Sequence, residues 1–223
     1  MRTVIAGTIG IGLLAAVTLR AAEQMTTFTP KTGPDMKMRL EGTSTVHDWQ
    51  VEGPLIGGFL EVGPKFPTEP GQAATPGKME AKADVFVPVR SLRSIEKDGQ
   101  PYSDKMNEVM YEKLKQSANP KILFHLTDLE LKEPAKAKDA PYVFEAKGDL
   151  AVAGKTNKIT FPLNIIPLGE KKLKVTGTAS IKMSDYGVEA PVLVGILSTG
   201  DEVKLKFTWM VIQRAAPAAA AAK

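Results

Sequence analysis

The residue types of a hydrolytic triad meet in one place, Ser44-Thr45-Val46-His47-Asp48-Trp49. A serine nucleophile needs a histidine within hydrogen-bond reach and a carboxylate that orients that histidine. Along an extended strand, however, adjacent side chains point to opposite faces, so His47 and Asp48 cannot easily pair. A Gly-x-Ser-x-Gly elbow is absent from the chain. The segment therefore reads as structural, with Trp49 plugging one end of the fold and Asp48 accepting backbone hydrogen bonds at a turn. The chain has two histidines and no cysteine. His47 and His125 have no companion ligands at metal-binding spacing, so no metal site and no catalytic residue is assigned. Zero cysteines also exclude disulfides, thiolate chemistry and thioether lipid anchoring.

Two further groups have a plain and a functional reading. Asp185-Tyr186-Gly187 forms either a turn in which Asp185 bonds its own backbone, or a polar gate whose tyrosine hydroxyl meets a ligand headgroup. Lys172, Lys174, Lys182, Lys204 and Lys206 alternate with Thr and Ser and lack interleaved aromatics. That pattern is a solvated face, and no nucleic-acid partner is expected.

The elements that must position these residues are mostly strands. Met79, Ala81, Ala83, Val85, Val87 and Val89 alternate with charged residues, as do Tyr142, Phe144, Ala146, Gly148, Leu150 and Val152. Leu173, Val175, Gly177, Ala179, Ile181 and Met183 repeat the pattern, followed by Val203, Leu205, Phe207, Trp209 and Val211. Shorter candidates lie at residues 36–42, 46–52, 55–62, 122–131 and 159–168. One helix, residues 104–116, carries Met106, Val109, Met110 and Leu114 as a narrow apolar stripe. Ser103 or Asp104 can cap it and Asn119-Pro120 ends it. Loops at 63–77 and 133–141 are long. About nine strands, each with one dry and one wet face, fit an antiparallel barrel better than a two-sheet sandwich, because closure removes edges.

The ends stand apart from this pattern. Residues 1–22 read as a signal peptide: Arg2 precedes an uncharged apolar run, residues 4–19, shorter than the roughly 20 residues of a membrane span. The alternative is an uncleaved anchor. The domain is then 23–213, with a disordered Ala-rich tail at 214–223. Removing the signal takes Arg2 and Arg20 away, and the net charge of +4 falls to +2. The expected location is periplasmic or secreted, without a stable membrane span after cleavage.

Several fragments resemble, in order, those of the YceI-like family. They are Gly42-Thr43-Ser44-Thr45-Val46-His47-Asp48-Trp49, Val87-Pro88-Val89-Arg90-Ser91-Leu92 and Asn119-Pro120-Lys121-Ile122-Leu123-Phe124. Gly148-Asp149-Leu150-Ala151-Val152-Ala153-Gly154-Lys155-Thr156, Asp185-Tyr186-Gly187 and Gly200-Asp201-Glu202-Val203 follow. Together they span roughly residues 36–212. The resemblance implies an all-β, lipocalin-like antiparallel barrel of eight to nine strands with one inserted helix. It also implies a lumen that in some members holds a long polyisoprenoid chain, such as a quinone tail. Many members carry Arg-Asp-x-His-Leu in the helical region, where this chain has Lys105-Met106-Asn107-Glu108-Val109.

The expectation is an exported, non-enzymatic carrier of an amphiphilic lipid. An isoprenoid lipid or quinone is the one cofactor-like molecule implied, and a homodimer is left open. The inward apolar face, with small residues at Ala81, Ala83, Ala146, Gly148, Gly177 and Ala179, suggests where a lumen lies: these with Val85, Phe144, Val175 and Phe207 are the candidate lining. Their other reading is that small residues match the taper of a filled barrel. Trp49, Met106, Met110 and Tyr186 are the candidate mouth and lid; the helix stripe either anchors the helix or covers a lipid tail. The alternative function is a structural or interaction module of the cell envelope, with a filled barrel and the 63–77 loop facing a partner.

Overall fold

The computed structural model describes residues 24–193 and 197–214. The expected signal segment and all of the tail beyond Arg214 lie outside the described residues. Among these residues thirteen strands and one α-helix follow in order. They are β1 (Thr26–Pro30), β2 (Lys37–Ser44), β3 (Trp49–Gly53), β4 (Gly57–Val62), β5 (Gly77–Lys78), β6 (Ala81–Pro88) and β7 (Arg93–Ile95). After α1 (Asp104–Lys113) come β8 (Lys121–Glu133), β9 (Tyr142–Val152), β10 (Lys155–Gly169), β11 (Lys172–Lys182), β12 (Val192–Leu193) and β13 (Leu197–Gln213).

Eight strands close an antiparallel ring, β1-β4-β6-β8-β9-β10-β11-β13, which the β13–β1 pairing seals. The long strand β13 serves two neighbours along one edge. Its last residues pair with β1, through Phe28↔Gln213, and its first half pairs with β2, through Leu205↔Leu40. From β2, strands β3 and β7 continue outward as a flap, so two of the expected barrel strands lie outside the ring. The closing strand β1 was not expected: among its five residues, Thr-Thr-Phe-Thr-Pro, only Phe28 is apolar and buried.

Alternation does its work most cleanly in β9, where the inward residues from Tyr142 to Val152 are all buried. Its hairpin to β10 keeps register from Val152↔Lys155 to Tyr142↔Ile165. Ala153 and Gly154 make that turn with φ of 51° and 85°, the positive angles that suit the twist of a two-residue hairpin.

One half of the barrel is packed solid. Phe28, Val62, Leu131, Phe144, Ile165, Leu173 and Val211 are each at most 1% exposed and belong to one core. The 63–77 loop folds onto this end: Phe66 stacks on Phe144 with ring centroids 5.4 Å apart, and the Tyr142 hydroxyl donates to the Gln72 carbonyl. The apolar side chain this loop carries is therefore spent on its own barrel.

Further along the axis, small residues make room for rings. A Cβ on Gly148 would sit 2.4 Å from the His125 carbonyl oxygen and 2.5 Å from the Phe124 ring. One on Gly177 would sit 2.6 Å from the Phe207 ring. Because a backbone oxygen cannot swing aside, Gly148→Ala is expected to lower stability by about 1–3 kcal/mol, read by urea or thermal denaturation.

Candidate functional site

Beyond this ring layer the interior opens. A cavity of about 830 Å³ occupies the end of the barrel under α1. Its strand walls are Leu40, Val51, Ile122, Leu150, Val152, Ile181, Val203 and Leu205. These belong to the same inward faces that alternation marks, taken nearer the strand ends.

The helix presents its apolar stripe to this space. Met106, Val109, Met110 and Leu114 all border the cavity. Its other face also fixes the helix. Asn107, 5% exposed, accepts from the Ser94 N–H at 2.7 Å and from the Ser94 hydroxyl at 2.9 Å through Oδ1. The buried Tyr111 donates to the Leu92 carbonyl at 2.7 Å, and the Arg90 and Arg93 guanidinium groups lie over its ring. Ser103 caps the first turn, accepting from the Met106 N–H. A polar anchor to β7 thus adds to the apolar one. The stripe fits both of its readings: all four residues border the cavity, while Met110 and Leu114 also pack against the core.

The rim carries polar and charged residues of both signs, His47, Asp48, Glu96, Lys97, Asp98 and Lys113, together with Tyr102. Ser44, His47 and Asp48 do not assemble as a triad. The Ser44 hydroxyl donates to the His47 carbonyl at 2.6 Å and accepts from the His47 N–H, while His47 Nδ1 faces the Asp48 carbonyl at 2.9 Å. Ser44, rather than the expected Asp48, holds this turn. Trp49 lies at the cavity edge, covering Gly42 and donating from Nε1 to the Thr43 carbonyl.

After β11, Ser184, Asp185 and Tyr186 form a short 3-10 turn that Gly187 leaves with φ 63°. Asp201 staples it, accepting from the Ser184 N–H at 2.8 Å and hydroxyl at 2.6 Å, and these bonds hold its carboxyl below the ordinary value. Two motifs distant in sequence thereby become one corner of the mouth. Tyr186 is 2% exposed and borders the cavity; burial first, then the Asp185 charge, raises its hydroxyl pKa. Its hydroxyl makes no well-directed hydrogen bond among the described residues, since the neighbouring Asn157 amide donates to the Asp185 carbonyl at 2.9 Å. Gln50, also at the wall, has an enclosed Oε1 without a donor among those residues.

All four mouth and lid candidates, Trp49, Met106, Met110 and Tyr186, border the cavity. The ten lumen candidates lie elsewhere. Ala83, Phe144, Ala146 and Val175 are in the solid core, and Ala81, Val85, Ala179 and Phe207 pack against it. Gly148 and Gly177 sit beneath rings. Gly177 and Phe207 also edge a shallow outer groove of about 380 Å³ beside Lys37, Arg39 and Lys206. Small residues mark where large neighbours cross the interior, not where it is empty. Period-two reading finds the inward face but carries no signal for height along the axis. Ser94, Ile95 and Tyr102 were missed because β7 and the loop after it show no periodicity.

Among the described residues, no group of three or more His, Asp or Glu could hold a metal, and no helix is long and apolar enough to cross a membrane.

Comparison with known proteins places this architecture. The solved structure of BcnA from Burkholderia cenocepacia is 19% identical, with a TM-score of 0.54, covering 78% of this chain and 95% of that one. A polyisoprenoid binding domain from Saccharophagus degradans, implicated in plant cell wall breakdown, is 13% identical with a TM-score of 0.61, covering 84% and 98%. Both likenesses establish the barrel fold. No curated protein matches the sequence. The family model of the YceI-like domain matches residues 25–210, and the chain belongs to the YceI-like family.

Proposed function

We propose that this protein is an exported carrier that encloses the apolar tail of an amphiphilic lipid, an isoprenoid, in the open end of its barrel. The observation that carries the reading is the cavity of about 830 Å³ beneath an apolar helix stripe, within the range of pockets that bury most of a small ligand. Tail burial supplies the affinity, about 0.8 kcal/mol for each enclosed CH₂. The polar rim holds the headgroup in water, and Met106 and Met110 are flexible enough to close over different tails. Membership of a family whose structural relatives include a polyisoprenoid binding domain points the same way. The apolar N-terminal segment supports export, and a carrier of this design needs no catalytic group. The filled-barrel alternative has no support from an interior that is open at one end.

The two tryptophans provide a test. Trp49 borders the cavity and Trp209 is buried in the core. Titration of the protein with farnesol should shift emission to shorter wavelength, and Trp49→Phe should abolish most of that shift. Unchanged emission at saturating farnesol would overturn the reading.

A further inference from the structure

The geometry points to a limit on tail length, set by an aromatic floor of Phe124, Phe161 and Phe207; this rests on the tail-binding reading above. The three rings form a continuous edge-to-face row across the interior. Phe124 and Phe161 have centroids 5.4 Å apart at 65°, and Phe161 and Phe207 are 6.2 Å apart at 81°. The register shows that the cavity lining ends one inward position short of this row. On β8 it reaches Ile122 but not Phe124, two residues further in, and on β13 it reaches Leu205 but not Phe207. On β9 it reaches Leu150 but not Gly148, whose missing side chain is replaced by the Phe124 ring. Beneath the row, Ala146 is fully buried and Trp209 is 4% exposed within the continuous core.

The row therefore divides the barrel into a fillable upper chamber and a closed lower one. At about 30 Å³ for each water-sized group, 830 Å³ admits about 28 non-hydrogen atoms. That is about five isoprene units, with the headgroup outside at the rim. An octaprenyl chain, with about 40 carbons, exceeds the chamber and would leave its excess in water.

Affinity across a series of prenols tests the limit, using the full chain with farnesol, geranylgeraniol, geranylfarnesol and octaprenol. The wild type should bind geranylgeraniol about tenfold or more tighter than farnesol, since each added unit buries further CH₂ groups. From geranylfarnesol, with five units, to octaprenol the gain should be less than about threefold, because the added carbons find no enclosed surface. Leu205→Phe, which adds bulk above the floor in open space, should move the preference to farnesol. Phe161→Ala should extend the gain towards octaprenol; because its loss of packing lowers stability, the Leu205→Phe result stands as the independent arm. Octaprenol binding more than about tenfold tighter than geranylfarnesol, or an unchanged ranking in Leu205→Phe, would overturn the length limit alone. Failure of every prenol to bind would overturn the tail-binding reading with it.

Discussion

Phe144→Ala is expected to lower unfolding free energy by about 3–5 kcal/mol while leaving farnesol affinity within about threefold of wild type. Phe144 is fully buried in the solid half of the barrel, stacked on Phe66 of the loop that seals that end. Truncation removes the ring's buried surface and leaves a void that neither β9 nor the 63–77 loop can fill without breaking the stack. The cavity lies beyond the Phe124–Phe161–Phe207 row and shares no wall with Phe144. Denaturant unfolding gives the first quantity and prenol titration the second. A parallel loss of affinity would mean that the two halves of the barrel are not independent.

The opposite pattern is expected of Ile181→Asp. Ile181 lies near the end of β11, partly exposed, on the cavity wall. A carboxylate there stays hydrated while the cavity is empty, so the folded protein tolerates it. An apolar tail can enter only by stripping that hydration, which costs several kcal/mol. Farnesol affinity should fall by about 100-fold or more, equivalent to ~3 kcal/mol, with a melting temperature close to wild type. Retained affinity would place the tail elsewhere.

Why one variant acts on stability and the other on binding also explains what the sequence could reveal. Strand β9 was legible from Tyr142 to Val152 because every second residue is apolar and Glu145, Lys147 and Asp149 stand between them, the direct imprint of one dry face. The helix was legible from its Ser103 cap and its apolar stripe. Alternation cannot show that β13 changes partner midway, from β2 to β1, because pairing lies between strands and not within one. Nor does it give depth: Ala146 and Leu150 share an inward face, yet one is in the solid core and the other faces open space. Trp49, Met106, Met110 and Tyr186, expected at the mouth, all border the cavity. Asn107 escaped notice because a buried polar anchor resembles any helix-surface asparagine until Ser94 is seen opposite it.

Native mass spectrometry of the full chain purified from its host without added lipid tests the account most directly. A population heavier than the bare polypeptide by one amphiphile is predicted, its ligand fragmenting as an isoprenoid, with that population lost in Ile181→Asp. Bare polypeptide alone in repeated wild-type preparations, with no uptake of added farnesol, would contradict it.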